Sequence, residues 1–520
     1  METDLKKTSI GALCLLAAVG GYSQDTSRSQ RDVVADRVTM TNSMIAIRTP
    51  KPPITPRING PKNFGVRPGS PFRFRIPATG ERPMAFAVEN LPDGLLLDAD
   101  SGIVTGTLKE RGTFAVTLVA SNALGVAKRD FRIEVGDRIA LTPPMGWNTY
   151  YGFRLAISDK LIREQADAMV KSGLADHGWS YLNLDEGWTM NPAAKDPLLN
   201  GAPREADGRI RANGRFPDMP ALCSYVHGLG LRIGLYSSPG PLNCGGFAGS
   251  YQHEEQDAQS YADWGFDFLK YDWCSYQQIA RDDSVTEARK PYELMARALR
   301  KTRRDMVFSF CQYGMGNSAE WAADAGANTW RTTRDIIDKW ETVARYGFGQ
   351  AGLEKFSGPG RWNDPDMLMV GVMARNTPSR LTPDEQYTQV SLWCLLNAPL
   401  LIGGDLRKVD DFTLGLLSND EVIAVNQDPL GQQASRVAQD AKAQTEVWAK
   451  RREDGARAVG LFNRSEQPAS VTVTWSALQL QDAQTVRDLW RQKNLGVFTN
   501  EFTATVPAHG VELIRVQAKP

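Results

Sequence analysis

The central part of the chain alternates short apolar segments with amphipathic helical segments, and this alternation constrains the fold more than any other feature. One helix is predicted from the N-cap residue Ser158 to Gly173, with apolar residues spaced along one face. Another begins at Thr382 with a capping box. Eight strand candidates separate the helical segments: residues 145–150, 181–187, 232–237, 268–274, 306–312, 329–335, 362–370 and 400–406. Eight βα units predict a TIM barrel over residues 138–430.

Nearly all of these strand candidates end in acidic, aromatic, amide or basic side chains. The residues are Tyr150, Asp185, Glu186, Tyr236, Lys270, Asp272, Gln312, Tyr313, Arg331, Asp335, Asp364 and Asp366. Because the C-terminal strand ends of a TIM barrel build its active site, the sequence predicts that one mouth collects them. For Asp364 and Asp366, buried hydrogen bonds that hold loops are favoured over ligand contact. Carboxylates accept hydrogen bonds from sugar hydroxyls and aromatic faces stack on sugar rings, so the predicted ligand is neutral and hydroxylated.

The composition excludes several classes of function. Sixty Lys and Arg residues balance 60 Asp and Glu residues, which removes the charge asymmetry of a dedicated nucleic-acid or anionic-membrane binder. Only four histidines are present, which leaves little material for a metal site built from several histidines. No Gly-x-Ser-x-Gly elbow or phosphate-binding loop occurs. We therefore expect no metal, no other cofactor and no nucleic-acid partner; the sequence does not specify an oligomeric state.

Two β-rich segments flank the predicted barrel. Residues 55–137 alternate apolar and polar positions with frequent turn signals, which predicts a small β-sandwich. Beyond residue 430 the helical signal ends and alternation returns, which predicts an antiparallel β-sandwich over residues 431–520. The polar, proline-rich residues 24–54 are typical of a semi-rigid linker.

Residues 1–23 have the pattern of a secretory signal peptide. Two lysines precede an apolar run over residues 10–21, and the small residues Gly21 and Ser23 stand at positions −3 and −1 of a cut after Ser23. The run is far shorter than the roughly 20 residues that span a bilayer, although a frayed N-terminal helix is an alternative. We expect a secreted or periplasmic protein without a membrane span. Cleavage would remove Cys14 and leave an odd number of cysteines, so at least one thiol should stay free.

Seven motifs occur in the order and spacing of a known enzyme family. They are residues 141–148 (LTPPMGWN), 183–188 (NLDEGW), 234–240 (GLYSSPG), 244–251 (CGGFAGSY), 269–274 (LKYDWC), 330–336 (WRTTRDI) and 360–367 (GRWNDPDM). From about residue 141 to 431 the chain resembles glycoside hydrolase family 27, the α-galactosidase and α-N-acetylgalactosaminidase family. Residues 55–137 resemble the immunoglobulin-like domains attached to many secreted bacterial enzymes.

The resemblance implies a pair of catalytic carboxyl groups. Asp272 matches the family's nucleophile, which forms a covalent glycosyl-enzyme. Asp335 matches the acid/base that protonates the leaving oxygen and later deprotonates water. Lys270 and Arg331 match donors to sugar hydroxyls, and their positive charges would help to keep Asp272 ionised.

The resemblance also implies the walls of a sugar pocket. Asp185 and Glu186 match the acidic pair that holds the 4- and 6-hydroxyls of galactose, and Tyr236 matches an aromatic wall. Cys244 and Cys274 match a family disulfide next to the sugar. Such a bridge would tie two strand ends together and restrain the loop after the nucleophile.

Several positions depart from the family pattern. Glu186 stands where α-galactosidases usually carry Asp, and members that prefer β-L-arabinopyranosides, galactosides without the 6-hydroxymethyl group, carry the longer acid. Tyr150 replaces a Trp in the wall, and Gln312 and Tyr313 replace a Glu-Trp pair at the sugar. Arg334 replaces a Gly or Ala before the acid/base, where it would lower the pKa of that acid or contact the aglycone.

The resulting prediction is a retaining exo-glycosidase that hydrolyses terminal α-D-galactosyl residues of oligo- or polysaccharides by double displacement. Two alternatives stay open. Glu186 predicts β-L-arabinopyranosidase activity on the same fold by the same mechanism. The other alternative is a carbohydrate-binding protein without turnover, in which the immunoglobulin-like domain is the working part.

Overall fold

The computed structural model describes residues 47–519, and they belong to one compact unit. The predicted signal peptide over residues 1–23 and the linker up to residue 46 lie outside the described residues. Within the described range, no helix combines the length and the apolar character that crossing a bilayer requires.

The last residues of the predicted linker contact the barrel. The Arg48 backbone N–H donates to the Tyr387 hydroxyl at 2.9 Å, and the Arg48 guanidinium pairs with Asp384. The Thr49 hydroxyl donates to the backbone oxygen of Gly415 at 2.7 Å. This end of the linker is therefore held against the barrel helices, although it forms no regular element.

The immunoglobulin-like sandwich is confirmed. Its strands are β1 (Arg57–Ile58), β2 (Asn63–Val66), β3 (Pro71–Arg75), β4 (Ala78–Thr79), β5 (Ala85–Glu89), β6 (Leu95–Asp98), β7 (Ile103–Thr107), β8 (Gly112–Asn122) and β9 (Gly125–Val135). One sheet has the order β2-β9-β8-β5, the other has the order β3-β7-β6, and β1 pairs with β4. Alternation along β3 buries Phe72 and Phe74 between the sheets.

The polar side of β3 contacts the barrel. Arg73 donates to the backbone oxygen of His227 at 3.0 Å, and Arg75 donates to that of Leu229 at 3.1 Å. Both acceptors lie just before the barrel strand that begins at Arg232, so they mark the N-terminal end of the barrel. The immunoglobulin-like domain therefore lies at the end opposite the mouth.

The predicted eight-stranded parallel barrel is also confirmed. Its strands are β10 (Met145–Asn148), β11 (Tyr181–Asn183), β12 (Arg232–Ser237), β13 (Phe268–Asp272), β14 (Val307–Cys311), β15 (Thr329–Arg331), β16 (Trp362–Asp364) and β19 (Leu400–Ile402). Each strand pairs in parallel with the next, β10 pairs with β19, and a bridge from Leu368 to Ile402 closes the ring. A short antiparallel pair, β17 (Val372–Met373) and β18 (Thr377–Pro378), follows β16.

The α-helices around the barrel differ from the prediction in one unit. They are α1 (Tyr150–Phe153), α2 (Asp159–Lys171), α3 (Met219–Gly228), α4 (Glu254–Trp264), α5 (Val285–Lys301), α6 (Trp340–Phe348), α7 (Pro383–Leu395), α8 (Asp411–Leu417) and α9 (Asp420–Asn426). The N-cap at Ser158 and the capping box at Thr382 are both present. Between β14 and β15, however, the described residues hold only the 3₁₀ turn Ser318–Glu320, so one of the eight predicted βα units lacks its α-helix.

The C-terminal antiparallel β-sandwich is confirmed with more strands than the sequence indicates. Its strands are β20 (Ser435–Asp440), β21 (Thr445–Arg451), β22 (Arg457–Asn463), β23 (Ala469–Thr474), β24 (Gln484–Asp488), β25 (Lys493–Phe498), β26 (Glu501–Val506) and β27 (Val511–Ala518). The larger sheet has the order β20-β21-β22-β27-β24-β25, and β23 pairs with β26. Strands β20 and β25 are mostly exposed, so they lack the apolar alternation that identifies the others.

Candidate active site

One pocket at the C-terminal ends of the barrel strands gathers almost all of the predicted site residues. Its lining consists of Tyr150, Tyr151, Asp185, Glu186, Tyr236, Cys244, Lys270, Asp272, Tyr313, Arg331, Asp335, Asp366 and Met367. Gln312, Asp364 and Cys274 are the exceptions, since they do not line the pocket, and Gln312 is only 1% exposed. Tyr151 and Met367 line the pocket although no sequence motif identifies them as site residues, and Asp366 lines it although the sequence favours a structural role for that residue.

Asp272 is the last residue of β13 and is buried in this pocket. The Tyr313 hydroxyl donates to its Oδ1 at 2.6 Å, and the Tyr236 hydroxyl donates to its Oδ2 at 3.2 Å. Burial raises the pKa of Asp272 to about 6, against the lowering effects of the Lys270 charge and of the Tyr313 hydrogen bond. The carboxylate is thus ionised above about pH 6 and has a fixed donor on each oxygen.

Tyr313 reaches Asp272 from a strained turn. Its φ of 59° lies in the left-handed region, which costs a non-glycine residue roughly 1–3 kcal/mol. Gly314 follows with φ of 78°, and a Cβ there would lie 2.4 Å from the backbone oxygen of Thr332. Only glycine fits at this close approach. The turn thus directs the phenol of Tyr313 onto the carboxylate.

Asp335 lies beyond the end of β15, and its side chain is 52% exposed. Arg331, which is buried, donates from Nη2 to Asp335 Oδ1 at 3.2 Å and lies 3.1 Å from Asp366 Oδ2. Asp366 Oδ2 also accepts the backbone N–H of Ile336 at 2.8 Å. Arg331 and Asp366 therefore hold the segment that carries Asp335. Arg334 is exposed and forms no side-chain hydrogen bond or ion pair within residues 47–519.

Asp364 and Asp366 partly bear out the loop-holding role that the sequence favoured. Asp364 Oδ1 accepts the Asp366 backbone N–H at 2.8 Å and does not line the pocket. Asp366 accepts the Tyr151 hydroxyl at 2.9 Å, but it also lines the pocket. Asp366 is therefore both a structural residue and part of the pocket wall.

Asp185 and Lys270 form a buried ion pair on another wall. Lys270 Nζ lies 2.8 Å from Asp185 Oδ2, which also accepts from Asn148 Nδ2 at 3.0 Å. Burial has the largest single effect and lowers the pKa of Lys270, but the surrounding negative groups, above all the carboxylates of Asp185 and Asp272, together outweigh burial and raise that pKa well above its usual value. The pocket therefore presents a fixed ammonium beside a fixed carboxylate.

Glu186 extends across the pocket toward the loop after β12. Its Oε2 accepts the Gly245 backbone N–H at 2.6 Å. A Cβ at position 245 would lie 2.9 Å from this oxygen, so glycine permits the contact. Burial and the neighbouring Asp185 raise the pKa of Glu186 to about 7, against the lowering effect of the Gly245 hydrogen bond.

Cys244 and Cys274 form a disulfide, with their Cα atoms 5.1 Å apart. The bridge joins the loop after β12 to the residue two positions beyond Asp272. Together with Asp272, these cysteines are the one cluster of potential metal ligands that residues 47–519 contain. Because both sulfurs are engaged in the disulfide, neither is available as a thiolate ligand. Three other cysteines, Cys223, Cys311 and Cys394, are buried as free thiols.

A separate cavity lies at the opposite end of the barrel, beneath the immunoglobulin-like domain. Phe64, Arg73, Tyr181 and Arg232 are among the residues around it. None of the predicted site residues lines this cavity. Its walls belong to the contact between the immunoglobulin-like domain and the barrel. The two carboxyl groups in its lining, Asp267 and Asp305, are both held in ion pairs, with Arg304 and Arg67.

The mouth can perform acid–base and nucleophilic chemistry on a neutral ligand. It combines a buried carboxylate that donors hold from both sides, a half-exposed carboxyl group at the rim, and cations that are themselves paired. Two carboxyl groups in different environments are what glycoside hydrolysis requires. The fold and the site thus define a glycoside hydrolase built on a TIM barrel.

Comparisons with known proteins identify the family. A family model described as "Alpha galactosidase A" matches residues 142–428, a model of the α-galactosidase C-terminal β-sandwich domain matches residues 442–516, and an Ig-domain model matches residues 55–136. The chain belongs to the α-galactosidase family, glycoside hydrolase family 27.

Individual relatives agree with this assignment. An α-galactosidase of Cyamopsis tetragonoloba is 41% identical over 377 residues, which cover 72% of this chain and 85% of that protein. A Bacteroides fragilis structure assigned as an α-galactosidase/melibiase shares 35% identity with a TM-score of 0.84, covering 91% of this chain and 100% of that chain. A family 27 β-L-arabinopyranosidase of Geobacillus stearothermophilus shares 26% identity with a TM-score of 0.64, covering 73% and 98% of the two chains. These relatives favour an enzyme over a binding protein without turnover.

Proposed function

We propose that this protein hydrolyses terminal α-D-galactosyl residues of oligo- or polysaccharides with retention of configuration. The pocket of two differently placed carboxyl groups, Asp272 and Asp335, carries this proposal, together with the family assignment. The paired charges of the walls suit a neutral sugar. No cofactor takes part in the proposed reaction.

In the first step Asp272 acts as the nucleophile. Its carboxylate oxygen attacks the anomeric carbon and forms a covalent glycosyl-enzyme, while the bond from that carbon to the leaving oxygen breaks. Asp335 donates its proton to the leaving oxygen. The exposure of Asp335 supports this role, because the aglycone must leave toward solvent.

In the second step the ionised Asp335 removes a proton from water, and the water oxygen attacks the anomeric carbon. The bond to Asp272 breaks, and the carboxylate regains its negative charge. Lys270 and the hydroxyls of Tyr236 and Tyr313 favour this charged form, since each is a donor or a positive charge close to it. Two displacements at one carbon give net retention.

The remaining wall residues would bind the sugar. Asp185, Glu186, Lys270 and Arg331 offer charged partners for hydroxyls, and Tyr150, Tyr236, Tyr313 and Cys244 complete the enclosure. Gln312 does not line the pocket, so we do not retain it as a sugar contact.

Product configuration tests the proposed reaction. With an aryl α-D-galactoside as substrate, proton NMR during the first turnovers should show α-galactose before mutarotation produces the β-anomer. β-Galactose as the first product would contradict the mechanism. No turnover of any aryl α-galactoside would contradict the proposed activity itself.

Glu186 favours β-L-arabinopyranosidase activity as a second candidate function. Its carboxylate crosses the pocket to the Gly245 N–H, so it occupies space that a shorter Asp would leave open. L-Arabinopyranose has the ring of galactose without the 6-hydroxymethyl group. A pocket narrowed at this point would accept the smaller sugar more readily.

Comparing Glu186→Asp with the native protein tests this second candidate. We expect the ratio of kcat/KM for aryl α-galactoside to that for aryl β-L-arabinopyranoside to rise about tenfold, since one methylene in a filled pocket is worth about 1–3 kcal/mol. Glu186→Gln keeps the length of the side chain and serves as the control, with little change in the ratio. An unchanged ratio in Glu186→Asp would show that this residue does not determine the sugar preference.

We also propose that the protein is exported. The lysines, the apolar run and the small residues within residues 1–23 support a cleaved signal peptide. The disulfide between Cys244 and Cys274 supports an oxidising compartment, because such bonds persist there. Sequencing of the mature N-terminus after expression with the full leader would test the proposed cut after Ser23.

A further inference from the structure

A groove lies between the start of helix α6 and the hairpin of β20 and β21 in the C-terminal domain. Among the residues that line it are Trp340, Gln439, Ala441, Gln444, Glu446 and Arg464. Helix α6 also contacts the C-terminal domain through Phe348, whose ring lies 5.3 Å from that of Phe462. The groove is thus built by two domains and shares no residue with the pocket that holds Asp272.

Trp340 provides an aromatic surface in this groove. Its ring stacks on His509, with the centroids 4.3 Å apart and an interplanar angle of 16°. His509 is itself fixed, because its Nδ1 lies 2.8 Å from Glu385 Oε1. The half-buried indole has no hydrogen-bond partner for its N–H in the part of the chain that the structure describes. The groove therefore offers a rigid indole with a free donor.

The polar groups of the groove suit a neutral ligand. Gln439 and Gln444 are exposed, and their amide groups make no hydrogen bond to other side chains or backbone in residues 47–519. Glu446 is buried and pairs with Arg464, and its Oε2 accepts from Trp448 Nε1 at 2.8 Å. The charged residues of the lining thus neutralise each other, while the amides remain available. An aromatic face beside free amides is a surface that binds sugar rings.

The groove lies at the end of the barrel from which the aglycone departs. Trp340 is the first residue of α6, which follows β15, so it lies at the mouth end of the barrel. It lies five positions after Asp335 in the sequence, so the two Cα atoms are at most ~18 Å apart. The acid/base lies on the side of the glycosidic oxygen, so the aglycone leaves the pocket past Asp335. A long aglycone can continue from there to Trp340.

We propose that this groove binds the neutral polysaccharide that carries the galactosyl residue, with one sugar ring of that chain on the indole of Trp340. The inference rests on the proposed function, because it assigns the aglycone of that same reaction. The groove contributes to binding only for substrates whose aglycone is long enough to reach it. A short aryl or disaccharide aglycone ends before it reaches Trp340.

The substitution Ala441→Trp tests this proposal because it fills the groove without removing a side-chain contact. Ala441 is exposed in the turn between β20 and β21. With a soluble galactomannan as substrate, kcat/KM should fall about tenfold through a higher KM at nearly unchanged kcat, as expected for lost uniform binding. With 4-nitrophenyl α-D-galactoside, both constants should stay within about twofold of the native values.

Two further variants complete the experiment. Ala99→Trp adds the same ring at an exposed position of the immunoglobulin-like domain and should leave both substrates unaffected. Gln439→Ala removes one free amide and should raise the KM for galactomannan about threefold, with no effect on the aryl substrate. Equal effects of Ala441→Trp on the two substrates, or no effect on galactomannan, would overturn the groove assignment. If the native protein did not hydrolyse the aryl galactoside, that result would instead overturn the proposed function.

Discussion

Replacing Asp272 with glycine should reduce the hydrolysis of aryl α-D-galactosides by at least about 10⁴-fold, a barrier increase of roughly 5 kcal/mol. The proposed covalent intermediate cannot form without this carboxylate, and no other carboxyl group of the pocket lies at the same strand end. Lys270 keeps its partner Asp185 in the variant, so the main buried ion pair of the pocket survives. Steady-state kinetics, together with a thermal unfolding curve to confirm folding, would measure the effect.

Added azide should partly restore turnover of Asp272→Gly. The azide would occupy the space of the missing carboxylate, attack the anomeric carbon from that side and expel the aryl oxide, which gives β-galactosyl azide. The control is Asp272→Asn, which keeps the shape of the side chain and leaves no room for azide, so it should stay inactive. α-Galactosyl azide as the product, or an Asp272→Gly variant that keeps more than a few per cent of native activity, would rule out Asp272 as the nucleophile.

The barrel could be predicted because its strand ends carry a pattern that few other folds require. Polar residues at the ends of successive strand candidates, such as Asp185, Lys270 and Asp272, indicated one common face, and the structure places all three in one pocket. All strand candidates except residues 232–237 are too long, because the sequence does not mark where pairing stops. Asp335, for example, was assigned to a strand that ends at Arg331. The absence of an α-helix between β14 and β15 was not predicted, because the number of βα units was inferred from the strand candidates alone.

The motifs predict which residues lie near the site. They predict less well which side chains point into the pocket, because the direction of the backbone determines this. Gln312 and Tyr313 were both expected at the sugar. Neighbouring residues near a strand end tend to point to opposite sides, and the turn at Tyr313 gives the pocket position to the phenol. The contact of Glu186 with Gly245 depends on two loops approaching each other, which local sequence does not encode. The structure therefore adds most to the sequence analysis at Tyr313 and Glu186, where the chain departs from the family motif.

Replacing Asp335 with glycine should affect substrates according to their leaving groups. For 2,4-dinitrophenyl α-D-galactoside, departure needs no protonation, so the first step should remain fast and the covalent intermediate should accumulate as a burst of phenol. For an oligosaccharide or methyl α-galactoside, which needs the proton, kcat/KM should fall about 10²–10⁴-fold, the usual contribution of a general acid. Pre-steady-state and steady-state kinetics on the two substrates would measure this divergence.

Azide again assigns the role, but with the opposite product. In Asp335→Gly the nucleophile Asp272 is intact, so azide would replace water in the second displacement and give α-galactosyl azide. The matched control is Ile337→Gly, which introduces glycine at an exposed position of the same loop and should keep both the native substrate profile and the native product. An equal loss on both substrates in Asp335→Gly would identify a merely structural residue. The two azide products, one of each anomer, can arise together only if Asp272 and Asp335 act on opposite faces of one sugar.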